Sequence, residues 1–371
     1  MDKERLITSG LVLFTGLVWI TVLARAFKSE EAPKSTGTAR LVWEKPALFP
    51  APVYDFSRNP LTAQGVKLGR FLFYDGTLSR TGDISCGTCH QQQNAFTDKD
   101  RELSRGVDDQ LGKRNTPSIQ NMAWNSAFFW DGGVFDLDFV PFNPIENPLE
   151  MGETVNHILG KIRKMPESAG ATDYSELFRA AFGTPEITTE RLMKALSQFM
   201  VKMVSAESRY DKFAIGDVTA LSTEEKQGLI LFRKNCGSCH EGQLFTNHSF
   251  RNNGLAPVQA NDTGRYDVTK TEVDKYKFKV PSLRNIAFTA PYMHDGRYET
   301  LEEVLDHYTD KVVGSPTLDS LLIKPNSDTG LNLMDTEKKS IIAFLKSLSD
   351  EQFIRNNALS DPRIDGAFDM K

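Results

Sequence analysis

Cysteine and histidine are the scarce residues in this chain. It has four cysteines and six histidines in 371 residues. All four cysteines fall in two copies of one pentapeptide, Cys86-Gly-Thr-Cys-His90 and Cys236-Gly-Ser-Cys-His240, which leaves none over. A basic excess is also missing. Lys and Arg number 44 against 49 Asp and Glu, a net charge of -5 that argues against a nucleic-acid partner and fits a basic soluble one. Alternating apolar runs are absent too, which excludes a sheet-built fold and leaves a mainly α one.

Both pentapeptides read C-x-x-C-H, the attachment signature of a c-type haem. Two thiols three positions apart can each form a thioether to one porphyrin edge, and the next imidazole becomes the proximal iron ligand. Two C-x-x-C pairs can also build a four-thiolate zinc site, and one pair can act as a dithiol redox centre. Zinc ribbons space their pairs by roughly 15–20 residues, far less than here, and neither alternative calls for a histidine after the second cysteine. The composition therefore implies two covalent haems, bound by Cys86, Cys89 and His90 and by Cys236, Cys239 and His240.

At 371 residues two domains are expected. Leu6–Leu23 is one long apolar run, flanked by Lys3 and Arg5 before it and Arg25 and Lys28 after it. It reads as a membrane anchor or, with the A-x-A-like Ala24-Arg-Ala26, as a cleaved signal peptide. Residues 1–28 are assigned to this segment and 29–45 to a linker. An N-terminal haem domain follows over 46–215, then a C-terminal haem domain over 216–350 and a tail over 351–371. Helical patterns are expected over Leu61–Tyr74, Glu186–Phe213, Lys226–Lys234 (opened by the capping box Ser222–Glu225), Thr300–Tyr308 and Thr336–Leu348. Pro46–Pro60 and the proline-rich Phe139–Pro148 read as loops. Each half repeats a helix, a C-x-x-C-H motif and a long loop, the layout of a duplicated cytochrome c unit whose loops wrap its haem.

Five further motifs stand in order around the two pentapeptides. They are Arg114-Asn-Thr-Pro-Ser118, Phe129-Trp-Asp-Gly132, Asn147-Pro-Leu-Glu-Met-Gly152, Val280-Pro-Ser-Leu-Arg-Asn-Ile286 and Thr289-Ala-Pro-Tyr-Met-His-Asp-Gly296. From about Leu61 to Leu348 the chain resembles the bacterial dihaem cytochrome c peroxidases and the related MauG-type enzymes. The resemblance implies an oxidoreductase with two tandem cytochrome c-like domains that reduces hydrogen peroxide to water, supplied with electrons by a small c-type cytochrome or cupredoxin. It makes the His90 haem peroxidatic and the His240 haem the electron relay. Glu150 matches the family's distal acid–base residue, a role suited to moving a proton between the two peroxide oxygens. Trp130 matches the tryptophan that couples the haems. Asn115, Thr289 and Pro291 match positions that bind a calcium ion through oxygen. It further implies a periplasmic protein, tethered to the inner membrane or soluble after cleavage, with a homodimer as a candidate assembly.

Four departures from the family pattern are again absences. The loop from Gln91 to Asn115 has no histidine, so the His90 haem is expected to keep an open sixth position without reductive activation. Val140 stands where a distal glutamine is usual. Tyr308 stands where peroxidases place a methionine, and MauG ligates its second haem through tyrosine. Tyr308 is therefore the expected second-haem ligand, ahead of His307 and Met293; a phenolate there would lower the potential relative to methionine. Lys234 stands where MauG carries the tryptophan that oxidises its protein substrate. Two alternatives to the peroxidase remain: a MauG-like oxidase of a protein or organic substrate, and a dihaem carrier with no enzymatic activity. His294 is expected to be structural, and no role falls to His157 or His248.

Overall fold

The computed structural model describes residues 40–165, 172–257, 262–326 and 328–364. The apolar run Leu6–Leu23 lies outside them. Among the described residues no helix is long and apolar enough to cross a membrane.

Seven helices of nine or more residues dominate the described chain: α1 (Ala63–Phe73), α2 (Val155–Arg163), α3 (Tyr174–Phe182), α4 (Thr189–Lys202), α5 (Thr223–Asn235), α6 (Leu301–Asp310) and α7 (Asp335–Lys346). The strands Phe250–Arg251 (β1) and Phe278–Lys279 (β2) form one two-residue antiparallel ribbon. Most of the helices start where a side chain accepts from an otherwise unpaired backbone N–H. Thr62 caps α1, Thr188 caps α4, and Thr300 caps α6. The Ser222–Glu225 box closes on α5 as its spacing predicts.

Two crossings shape the sites. Helix α1 packs on α4 and α5 packs on α7, each through a glycine. A Cβ on Gly69 would lie 1.9 Å from the Ala195 carbonyl and 2.9 Å from Phe199 Cβ. A Cβ on Gly228 would lie 1.9 Å from the Ser340 carbonyl and 2.9 Å from Phe344 Cβ. The same close approach thus occurs once in each half, on the helix that precedes each pentapeptide. Around the first crossing a core gathers Leu68, Leu72, Phe73, Leu196 and Phe199; around the second, Leu229, Phe232, Ile341 and Phe344.

Several expected boundaries move. The pattern over Glu186–Phe213 is two helices, because α4 stops at Lys202 and a short helix resumes at Arg209. Between them the backbone N–H groups of Ser205, Ala206 and Glu207 leave the helical ladder. Asn121 Oδ1 accepts the first at 2.9 Å and Asp350 Oδ2 the other two at 3.0 Å. The proline-rich loop contains a helical turn, Phe142–Glu146, where Pro144 sits early enough to need no N–H partner. Helices α2 and α3 carry no expectation from the sequence. The stretch after residue 350 folds back on the first half: Phe353 packs on Phe96 at 5.5 Å, and Gln92 Nε2 donates to the Asn356 carbonyl at 2.8 Å.

Candidate haem and peroxide site

Each pentapeptide is a helical turn that ends in a fixed imidazole. Cys86–Cys89 is one α-turn, and His90 Nδ1 donates to the Phe96 carbonyl at 2.8 Å. His240 repeats this with the Phe245 carbonyl at 3.1 Å. With Nδ1 carrying the proton, Nε2 keeps the lone pair that a metal needs. Burial pushes both rings down to about 4, against the opposing carbonyl bonds, so each is neutral near pH 7. Burial also pushes the Cys86 and Cys236 thiols up to about 12 and Cys89 to about 11. A dithiol redox centre needs the opposite, an easily formed thiolate. Among the described residues no three His, Cys, Asp or Glu side chains converge as a ligand set.

Both motifs open onto one cavity of about 1200 Å³. Phe73, Ile84, Leu196 and Met200 wall it beside the first motif; Phe232, Leu305, Ile341 and Leu345 wall it beside the second. Ordinary ligand pockets are roughly 300–1,000 Å³, and protein interiors do not leave apolar voids of that size. The chain's own chemistry therefore fits two large, flat apolar groups, each held by two thiols and one imidazole nitrogen.

Glu150 faces the cavity on the side of the first motif. It sits in a rigid turn: Asn147 Oδ1 accepts from Leu149 N at 3.0 Å, Gly152 N donates to the Asn147 carbonyl at 2.9 Å, and Val107 N donates to the Glu150 carbonyl at 2.8 Å. Gly106 lets the two loops meet, since a Cβ there would lie 2.3 Å from the Glu150 carbonyl. The carboxylate is open to the cavity but surrounded by protein. That burial pushes it above the ordinary glutamate range, and the bond from Asn147 Nδ2 at 2.7 Å opposes the rise. Val140 lines the same cavity.

Trp130 is tied to both halves. Its Nε1 donates to the Asn115 carbonyl at 2.8 Å, and its own carbonyl accepts from Lys279 N at 2.7 Å. Arg114 clamps the turn: it reaches Asp131 at 2.5 Å and Asp262 at 2.9 and 2.8 Å. Asn115 spends its amide hydrogens on the Arg101 and Glu102 carbonyls, at 3.2 and 3.1 Å, which leaves Oδ1 as its free oxygen. Thr289 and Pro291 line the cavity with it.

On the second side, Tyr308 Oη and Met293 Sδ face Asn253 inside the cavity. His307 lies elsewhere: it is 1% exposed, its Nε2 donates to the Asn253 carbonyl at 3.0 Å, and it does not line the cavity. His294 stacks flat on Phe278 with centroids 3.7 Å apart, and its carbonyl accepts from Asn115 N. His157 lies on the surface against Glu153. His248 Nδ1 is buried without a partner among the described residues.

Three contributors escaped the sequence reading. Asn147 had a signal, three residues before Glu150 in an Asx-turn pattern. Asn253 and Lys279 had none, because their neighbours are remote in the chain. Lys279 lines the cavity with no acid partner among the described residues, and burial pushes its ammonium down to about 8.

Two C-x-x-C-H turns opening on one cavity, in a mainly α scaffold, define a dihaem c-type cytochrome. The family model described as di-haem cytochrome c peroxidase matches residues 63–219. The methylamine utilization protein MauG of Methylorubrum extorquens is 34% identical, covering 93% of this chain and 95% of its own. The cytochrome c551 peroxidase of Nitrosomonas europaea is 36% identical, covering 79% and 82%. A solved MauG-like protein associated with microbial copper homeostasis is 33% identical, with a TM-score of 0.77, covering 87% of this chain and 99% of that one. The chain belongs to the dihaem cytochrome c peroxidase and MauG family, and so is an oxidoreductase carrying two haem groups.

Proposed function

We propose that the chain reduces hydrogen peroxide to water at the His90 side of the cavity: one peroxide, two electrons and two protons give two waters. The observation that carries this reading is Glu150, a carboxylate held over the first motif where the Gln91–Asn115 loop offers no competing histidine. When bound, the haems supply the electrons and the centre at which the O–O bond breaks. Glu150 takes the proton from the near peroxide oxygen and returns it to the far one, so the leaving oxygen departs as water. The Asn147 bond favours the ionised carboxylate, the form that acts as a base, against the rise that burial imposes. Val140 offers no polar partner, so orientation rests on Glu150.

Electrons come from a small c-type cytochrome or cupredoxin at the second motif, through the relay unit 216–350, and pass Trp130 into the peroxidatic unit 46–215. Tyr308 would hold the second haem's iron together with His240. It lines the cavity, whereas His307 is committed to a carbonyl. A calcium ion bound by Asn115 Oδ1 and the Thr289 and Pro291 carbonyls would brace the junction at Trp130, with oxygen-only ligands suited to that ion. Residues 1–28 export the chain to the periplasm, as an anchor or a cleaved signal, and a homodimer is the assembly to test.

Steady-state peroxide consumption with a reduced c-type cytochrome tests the reading. Turnover is expected, and Glu150→Gln should lower kcat/KM by about 10²–10⁴-fold. No consumption with either donor class rejects it. Tyr308 favours one second reading, a MauG-like oxidase of another substrate. A long-lived two-electron-oxidised state after peroxide treatment of the ferric protein would support that instead.

A further inference from the structure

One residue meets every candidate ligand of the second haem. The Asn253 carbonyl accepts from His307 Nε2 at 3.0 Å. Its amide Nδ2 lies 3.4 Å from Tyr308 Oη and 3.6 Å from Met293 Sδ. The backbone around it is pinned from several directions. Asn252 Oδ1 accepts from Gly254 N at 2.9 Å. Asn252 Nδ2 donates to Ser315 Oγ at 3.0 Å and to Thr317 Oγ1 at 2.9 Å. The Gly254 carbonyl accepts from Val313 N at 2.8 Å, and the Asn252 carbonyl from Asp319 N at 3.0 Å. The amide thus projects into the cavity from a fixed turn.

We propose that Asn253 is a positioning residue that selects which side chain ligates the second haem. This rests on the reading of Tyr308 as that ligand. The backbone carbonyl takes the ring N–H of His307 and turns that imidazole away from the cavity. The side-chain amide divides its two hydrogens between the other two candidates. A donor aimed at Tyr308 Oη stabilises the oxygen as it gives up its proton and takes on anionic character, because hydrogen bonds to charged oxygen are the strong ones. The other hydrogen engages the lone pairs of Met293 Sδ, the same electrons that sulfur would use to bind iron. Partners that orient a metal ligand in this way typically alter its affinity by about 10–100-fold when removed.

The test uses the holoprotein and reads the ferric visible and electron paramagnetic resonance spectra of the second haem, together with its midpoint potential. Asn253→Ala removes both hydrogens. Asn253→Asp keeps the size and shape but supplies only acceptors, so it carries the test should the alanine variant fail to accumulate. Either variant should shift the second haem from a tyrosine-bound to a methionine-bound spectrum by about 10–100-fold in occupancy and raise its potential. Adding Met293→Leu to either variant should abolish the new spectrum. Met293→Leu alone should leave the wild-type spectrum unchanged. Tyr308→Phe tests the underlying ligation separately: an unchanged spectrum there rejects the tyrosine reading itself. A spectrum that changes in Tyr308→Phe but not in Asn253→Asp overturns the role of Asn253 alone. A bis-histidine spectrum in either Asn253 variant overturns it too, because neither substitution touches the carbonyl that holds His307.

Discussion

The proton-handling role of Glu150 is open to a test through its neighbour. Asn147→Ala removes the Nδ2 donor that lies 2.7 Å from Glu150 Oε1. That donor favours the ionised carboxylate and opposes the rise imposed by burial. Its loss therefore raises the proton affinity of Glu150 and lowers the ionised fraction at any pH on the acidic limb. A hydrogen bond to a charged group contributes about 1.5–3 kcal/mol. The carboxylate faces an open cavity, so the lower end applies, and about 1.4 kcal/mol is a tenfold change in an equilibrium. On the acidic limb, kcat/KM for peroxide should fall about tenfold, while the plateau at higher pH should return close to the parent value. The assay is steady-state peroxide reduction across the acidic and neutral range, with Glu150→Gln as the variant that should lose the limb altogether. Asn147 Oδ1 also accepts from Leu149 N, so a displaced turn is the competing outcome. A plateau that drops with no movement of the limb would show that Asn147 only shapes the loop. A limb that moves to lower pH would refute the reasoning outright.

Other perturbations probe the scaffold that holds this site. Gly228→Ala should lower thermal stability by about 1–3 kcal/mol through overpacking against the Ser340 carbonyl, the reverse of the roughly 1 kcal/mol gain that helix propensity alone predicts. Arg284→Met should destabilise by about 3–5 kcal/mol in denaturant titration. Its fully buried guanidinium meets Asp211 at 2.9 and 2.7 Å and stacks 4.6 Å from Phe49, so the loss strands a buried carboxylate. Burial pushes the Asp211 carboxyl up, but Arg284 and Ser208 outweigh it and hold the group below the ordinary aspartate range. Its contribution is therefore present above that range and lost as pH falls through the lower native value, and Arg284→Met should remove that part of the acid dependence. Chelation with EGTA should lower peroxide turnover, with recovery on adding calcium but not magnesium; turnover indifferent to chelation would dismiss the ion.

What could be read from the sequence is what short stretches of chain decide. The two C-x-x-C-H turns and the caps at Thr62, Ser222 and Thr300 are complete within a few residues, so their patterns carry them. The end of α4 is not local. Its apolar stripe continues past Lys202, but Asn121 and Asp350, far away in the chain, accept the N–H groups of Ser205, Ala206 and Glu207 and hold the chain out of the helix. The fold-back after residue 350 has the same cause, since Arg70 donates to the Ser360 carbonyl at 2.6 Å and Tyr74 to the Leu359 carbonyl at 2.7 Å. Within the candidate site, Glu150 and Trp130 were legible through motif resemblance. Asn253 was not, because its meaning lies in three partners that the fold alone assembles.

This difference explains how two halves with the same attachment layout can take different roles. The proximal side of each haem site is made locally: a helix crossing at Gly69 or Gly228, a turn of two thiols, and an imidazole tied to a carbonyl five or six residues on. Such a unit can be repeated whole, and here it is. The opposite side is made from segments remote in the chain, loops for the most part and helix α6 for Tyr308. Residues 147–151 bring a carboxylate toward His90, while Asn253, Met293 and Tyr308 bring an amide, a thioether and a phenol toward His240. Substitutions in those segments leave the attachment turns untouched, so one side can specialise in proton chemistry and the other in iron ligation. The asymmetry of the molecule therefore resides in the remote segments that face the cavity. A graft that moved the Asn147–Gly152 turn alone to the second side would lack the Val107 and Gly106 contacts that fix it, and should not create a second peroxide site.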